Sequence, residues 1–257
     1  MSAPLQVRLR ADVARPEDID LLYWVGCCVS ADARVSAIAR AVARILNAAG
    51  VRFAVLGGEE HCCGDPARRT GNEFQFETLA RANIETFKRY GVTRILAHCP
   101  HCLHVLRNEY PRFGADFEVV HHTELIRELL ATGRLKPARH LVGTAVFHDP
   151  CYLARYSHVV AAPRQVLDAV SEKRVEMHRS KEGTFCCGGG GGHSFFESEG
   201  SGQRINRLRA REAIATGART VCTACPYCLS MMEDGVRVEG AEAVRVRDVA
   251  ELVAELI

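Results

Sequence analysis

The sequence predicts an α/β protein built as two parallel-sheet units in tandem, each with a cysteine cluster at the carboxyl ends of its strands. Three observations carry this. Cysteines 27, 62, 63, 99 and 102 recur at 151, 186, 187, 225 and 228, a shift of 124 residues that becomes 126 at the last pair. Five matched spacings mark a tandem duplication. The flanks repeat as well: Cys62-Cys63-Gly64 faces Cys186-Cys187-Gly188, and Cys99-Pro100-His101-Cys102-Leu103 faces Cys225-Pro226-Tyr227-Cys228-Leu229. Finally, short apolar runs alternate with helical periodicity in both halves, which is the signature of strand–helix units around a parallel sheet. The halves are therefore expected to be Rossmann-like.

The elements follow in order. Residues 1–19 read as an N-terminal extension, 20–135 as the first unit and 140–257 as the second, with the junction near 133–143 around Pro137. In the first unit 21–25 is a short apolar run and so a buried strand. Residues 33–48 place Val35, Ile38, Val42, Ile45 and Leu46 on one helical face, with Gly50 as the stop. A strand is expected at 51–56, and then a helix at 72–89 with Asn72 as N-cap and Gly91 past its end. A strand at 93–97 leads into the Cys-Pro-x-Cys helix, and a strand at 117–120 and a helix at 123–131 close the unit. The second unit repeats the order, with strands near 144–148, 174–177, 219–223 and 243–247 and helices near 163–170, 203–216, 226–233 and 248–256. In such sheets ligands bind on the rim formed by loops after the strands, and all three cysteine groups of each half fall in those loops.

Composition narrows the chemistry. Hydrophobic residues make up 47% and charged residues 25% of the 257, with a net charge of +2. These are globular values, and the near-neutral charge gives no reason to expect a nucleic-acid partner. No apolar run is long enough to span a membrane, and the start lacks a signal-peptide core, so the expected setting is cytoplasmic and reducing. There, clustered cysteines bind metal or do redox chemistry. Cys-Pro-x-Cys at a helix start suits thiolates, because the first-turn amides stabilise negative charge. Five thiols per half exceed the four of a structural zinc site and of a cubane 4Fe–4S cluster. Iron–sulfur binding is the leading reading; zinc in one half and metal-free catalytic dithiols stand beside it.

The repeated pattern, a cysteine, then Cys-Cys, then Cys-Pro-x-Cys, resembles the CCG-domain (cysteine-rich domain) proteins, whose best-known member is the B-type component of heterodisulfide reductase. Matching segments are Tyr23-Trp24-Val25-Gly26-Cys27, Gly64-Asp65-Pro66-Ala67-Arg68-Arg69, His148-Asp149-Pro150-Cys151-Tyr152-Leu153, the run Cys186 to Gly192, and Arg204-Ile205-Asn206. They are most similar to the D-type heterodisulfide-reductase-like iron–sulfur proteins, and the likeness covers nearly all of 20–257. It implies two non-cubane 4Fe–4S clusters, held by Cys27, Cys62, Cys63, Cys99 and Cys102 and by Cys151, Cys186, Cys187, Cys225 and Cys228. It further implies an oxidoreductase component acting on disulfide, thiol or carrier-bound sulfur. Electrons would come from a ferredoxin-like 4Fe–4S subunit and a flavoprotein subunit of a larger complex. Both cysteines of the first pair are present, which favours two complete sites. His193 stands where relatives often carry Arg, and no ferredoxin-like cysteine motif precedes Cys27.

The remaining candidates divide into sharp and bland readings. His148, just before Cys151, is the candidate catalytic residue, a proton donor during sulfur reduction; His61, His98, His101, His121 and His122 read first as structural. Glycines 188–192 lack a phosphate-loop ending, and close backbone approach with amides bonding cluster sulfurs fits them better. Cys222, inside a strand, reads as a small core residue, and Cys28 as loop packing. Arg204, Arg207, Arg209 and Arg211 read as a solvated helix face. A pure electron relay between a flavoprotein and a quinone or other acceptor, and zinc in one half, are the rival functions.

Overall fold

The structure, a computed structural model, describes residues 5–193 and 204–257. Among the described residues nine strands form two sheets in which every pairing is parallel. The first holds β1 (Arg8–Leu9), β2 (Leu21–Trp24), β3 (Phe53–Val55), β4 (Arg94–Ala97) and β5 (Glu118–His121), in the order β1-β3-β2-β4-β5. The second holds β6 (Leu141–Phe147), β7 (Ser171–Val175), β8 (Thr220–Thr223) and β9 (Arg245–Asp248), in the order β7-β6-β8-β9. Leaving β1 aside, each half runs second-first-third-fourth, so the duplication read from cysteine spacing is also a duplication of topology.

The helices are α1 (Cys27–Ala31), α2 (Ala33–Ala48), α3 (Asp65–Arg69), α4 (Glu73–Arg89), α5 (Pro100–His104), α6 (His122–Ala131), α7 (Ala161–Val170), α8 (Ile205–Ala215), α9 (Pro226–Val238) and α10 (Val249–Leu256). Local chemistry sets their starts. The Asp32 carboxylate accepts from Arg34 N at 2.7 Å to open α2, and Asn72 Oδ1 accepts from Gln75 N at 3.0 Å to open α4. Asp248 and Glu251 form a capping box at α10, and His121 and Glu124 do so at the matched start of α6. The central strands are apolar on both faces because helices cover both: Leu21, Leu22, Tyr23 and Trp24 are all buried, and so are Ala145, Val146 and Phe147.

Two expectations shift, and two short helices are added. Arg8 and Leu9, within the stretch read as an extension, pair with β3 and form the edge of the first sheet. The strand expected at 174–177 lies at Ser171–Val175; it is an edge strand with the sequence SEKRV, whose polar residues face water, so an apolar-run criterion places it too late. The short helices α1 and α3 have no periodicity of their own, so no pattern along the chain predicts them. Residues 1–4 of the N-terminal stretch and residue 203 of the helix expected at 203–216 lie outside the described residues.

The halves pack reciprocally: α2 of the first lies on α10 of the second, and α7 of the second on α6 of the first. Arg34 on α2 reaches Glu233 on α9 at 2.7 Å and Glu251 on α10 at 2.6 Å. His122 Nε2 meets Asp248 Oδ1 at 3.2 Å, with both side chains fully buried. Loops at the carboxyl ends of the two sheets therefore face each other, which positions everything that follows. Among the described residues no helix is long and apolar enough to cross a membrane.

Candidate metal centre

Two of the three cysteine groups are placed by a backbone device that both halves share, and the first cysteine is placed differently in each. β2 ends at Trp24, and Gly26, whose φ of 81° suits glycine, then turns the chain into Cys27 at the start of α1. The amides of Val25 and Gly26 donate to the Glu60 carboxylate. After the Cys-Cys pairs, Gly64 and Gly188 turn the chain at φ 89° and 86°. The Gly64 amide donates to Cys62 Sγ at 3.4 Å, and the Gly188 amide to Cys186 Sγ at 3.2 Å. Cys99 and Cys225 are the N-caps of α5 and α9, with Pro in the first turn.

The fold brings all ten repeated cysteines into one seam. Cys27 and Cys62 sulfurs are 3.5 Å apart. Hydrogen-bonded thiols continue from Cys62 to Cys63, then Cys102, then Cys99. The second half repeats the sequence as Cys151, Cys186, Cys187, Cys228 and Cys225. The two series meet where Cys225 donates to Cys99. Burial is matched too. Cys27, Cys62, Cys151 and Cys186 are half-buried, whereas Cys63, Cys99, Cys102, Cys187, Cys225 and Cys228 are buried. Each set thus has one open side, made by equivalent residues.

Within these hydrogen-bonded series, negative charge gathers on particular sulfurs. Hydrogen bonds from Cys27 and Cys63 pull Cys62 down to about 3, and those from Cys151 and Cys187 pull Cys186 down to about 2. The same member of each set is therefore a thiolate at neutral pH, the form that binds metal. Hydrogen bonds from Cys102 and Cys225 hold Cys99 well below the usual thiol range. Cys222 is separate: it is fully buried in β8, and burial pushes its thiol up to about 12.

What surrounds the sets differs between the halves. In the first, Glu109 ties α3, which follows Cys62-Cys63, to the segment after α5. Arg68 Nη1 donates to it at 2.6 Å, Arg69 bonds its other oxygen, and His104 Nε2 lies 3.3 Å away. Burial pushes this carboxyl up, but the bonds from His104, Arg69 and Arg68 outweigh it and bring it to about 2. A depressed carboxylate stabilises the fold above its unfolded value, near 4.5, and that stability is lost as pH falls toward 2. Urea midpoints are therefore expected to drop between pH 5 and pH 2.5 more steeply in the wild type than in Glu109→Gln. Parallel slopes would contradict this.

In the second half Asp149 makes two bonds to Arg164, at 2.7 and 2.8 Å, and accepts from Lys181 N at 2.8 Å. His148 Nδ1 accepts from Arg209 Nε at 2.9 Å. A ring nitrogen of His148, Cys187 Sγ and Cys228 Sγ lie within 4.8 Å of one another, and all three residues are buried. The expected solvated face is corrected here. Arg207 and Arg211 do sit near the surface on Glu239, but Arg209 is fully buried because α8 turns it toward His148 and Thr184. No sequence signal separates it from its neighbours, since its partner lies 61 positions away.

The other histidines hold structure. His98 is buried with Nδ1 on Tyr23 OH at 2.8 Å, and burial lowers it to about 4. His121 and His122 lie buried beside it. His61 is exposed, and its amide bonds Asn83 Oδ1. His101 bonds Asp65 Oδ2 at 3.0 Å and stacks on Tyr152 of the other half at 3.9 Å between ring centroids. The matched contact is Tyr227 with Cys28, which gives Cys28 a place at the junction. A Cβ on Gly190 would sit 2.2 Å from His101 Nε2, so part of the glycine run serves the approach of one half to the other.

The profile of the CCG cysteine-rich domain matches residues 21–107 and again 145–233. Over 247 residues the chain is 42% identical to "EtfAB:quinone oxidoreductase" of Syntrophomonas wolfei, covering 92% of this chain and 35% of that protein. It is 44% identical to "Probable iron-sulfur-binding oxidoreductase FadF" of Bacillus subtilis, covering 94% and 34%. It is 36% identical to the D-type component of dihydromethanophenazine:CoB--CoM heterodisulfide reductase of Methanosarcina barkeri, covering 96% and 61%. The chain thus spans between about a third and three fifths of the length of these relatives.

Proposed function

The chain belongs to the CCG cysteine-rich domain family, with two copies of the domain, and from that premise we propose that it is an iron–sulfur redox module of a heterodisulfide-reductase-like complex. The observation that carries the proposal is the pair of matched five-thiol sets, each with buried members and one open side. Soft thiolates in this number fit iron–sulfur clusters better than a four-ligand zinc site. Cys27, Cys62, Cys63, Cys99 and Cys102 would hold one 4Fe–4S cluster of non-cubane type, and Cys151, Cys186, Cys187, Cys225 and Cys228 the other. Bound there, such clusters supply one-electron redox chemistry.

The chain's own residues shape that chemistry. The half-buried pairs Cys27–Cys62 and Cys151–Cys186 lie on the side from which a thiol, disulfide or carrier-bound sulfur substrate can approach. The buried thiols and the cores behind them exclude water. Amides of Gly64 and Gly188 stabilise negative charge on the sulfurs. Electrons would arrive singly from a ferredoxin-like subunit and a flavoprotein subunit. A second reading, an electron relay between a flavoprotein and a quinone, is favoured by the higher identity to the relative named EtfAB:quinone oxidoreductase.

Metal and acid-labile sulfide analysis of anaerobically prepared protein tests the cofactor, with about eight irons per chain expected for two four-iron clusters. One zinc with about four irons would place zinc in one half instead. Electron paramagnetic resonance under oxidising conditions, with and without thiols and disulfides, separates the two readings. A substrate-dependent signal supports sulfur chemistry, and spectra indifferent to every sulfur compound support the relay.

A further inference from the structure

We infer that His148 is a positioning residue for the second thiol set, a hydrogen-bond donor to Cys187 and Cys228 whose tautomer Arg209 fixes, and that it makes this set the higher-potential of the two. The inference rests on the cluster-binding reading above. Arg209 is held on every side: Nε on His148 Nδ1 at 2.9 Å, Nη1 on Arg179 O at 2.9 Å and on Glu212, and Nη2 on Thr184 Oγ1 at 3.2 Å. A guanidinium has donors and no acceptor, so His148 Nδ1 must accept and the ring proton sits on Nε2. That nitrogen is fully buried and has no partner among the described residues. A ring nitrogen of His148 lies within 4.8 Å of Cys187 Sγ and Cys228 Sγ, so the ring sits beside these sulfurs. Because Nε2 carries the proton, it serves as a donor to sulfur and not as a metal ligand.

The first half lacks this arrangement. The 124-residue shift that relates the cysteines places Trp24 where His148 stands, and the 126-residue shift places Asn83 where Arg209 stands. Asn83 spends its amide on Cys62 O at 3.1 Å and Tyr110 OH at 3.0 Å, so Trp24, whose buried Nε1 likewise has no partner among the described residues, lacks the guanidinium that stands behind His148. Near Cys62 stands the Glu60 carboxylate, where the second half has the neutral Thr184. Hydrogen bonds to cluster sulfurs and nearby positive charge favour the reduced state. Both differences therefore steer an electron toward the second set.

An anaerobic redox titration followed spectroscopically tests this on wild type, His148→Phe and His148→Gln. Glutamine can accept from Arg209 and donate onward, whereas phenylalanine can do neither. Iron and sulfide content should be the same in all three. In His148→Phe the reduced-to-oxidised ratio of one set at fixed potential should fall about tenfold, equivalent to about 59 mV for a one-electron couple, and His148→Gln should stay near wild type. Full iron with unchanged potentials in His148→Phe overturns the inference. If that variant fails to fold, pulsed electron paramagnetic resonance of the reduced wild type with ¹⁵N-histidine decides. A weak histidine coupling with an exchangeable proton is expected, while either no histidine coupling or one of ligand strength overturns it. A wild type that takes up no iron removes the cluster reading and the inference together.

Discussion

Cys186→Ser is expected to remove about half of the bound iron, about four of about eight atoms per chain, while leaving the first set loaded. Cys186 is the thiolate of its set. It lies between Cys151 and Cys187 and takes the Gly188 amide, and its neighbours hold it near 2. Serine keeps the size but offers a hydroxyl that stays protonated and binds iron poorly. The first set stands on the other sheet with its own thiolate, Cys62. Cys62→Ser should give the converse loss. Cys222→Ser is the control: its thiol is buried in β8, so the change should cost stability and leave iron unchanged. Full iron in Cys186→Ser would remove Cys186 from the ligand set, and iron loss in Cys222→Ser would bring Cys222 into it.

Asp149→Ala should have the largest effect on stability, a loss of about 3–5 kcal/mol, as for removal of one partner from a buried ion pair. Asp149 is 1% exposed and Arg164 7%. The substitution deletes two bonds to the guanidinium and the acceptor for Lys181 N, leaving Glu176 as the carboxylate on Arg164. The carbonyl of residue 149, which alanine keeps, still accepts from Thr184 Oγ1 at 2.9 Å, so the expected loss is that of the carboxylate's bonds alone. Urea unfolding at neutral pH measures the loss. A cost below about 1 kcal/mol, that of an exposed pair, would show that Arg164 and Glu176 carry the loop without Asp149.

Much of the fold is legible along the chain. Helix 33–48 matches α2 at both ends because its apolar face, its Asp32 cap and Gly50 all act within one turn of the residues they govern. The strand–helix order of both halves follows from the same local signals. β7 and β1 escape them because their residues are polar or half-exposed, so pairing with a neighbour makes them strands and their own pattern does not. The basic helix shows the limit most clearly. Arg207, Arg209 and Arg211 are alike in sequence, and only the tertiary placement of α8 decides that Arg209 is buried against His148 while the others stay near the surface.

The sequence by itself determined the duplication, the parallel α/β class and the ten cysteines that repeat, because spacing and periodicity are properties of a chain read along its length. Only the tertiary structure decided that the two sets meet at Cys99 and Cys225. It also decided that a guanidinium orients His148 and that Glu60 and Thr184 make the two sets unlike. These are contacts between segments tens to more than a hundred residues apart. They are set by how the two sheets bury their carboxyl edges against each other, and no local pattern encodes that.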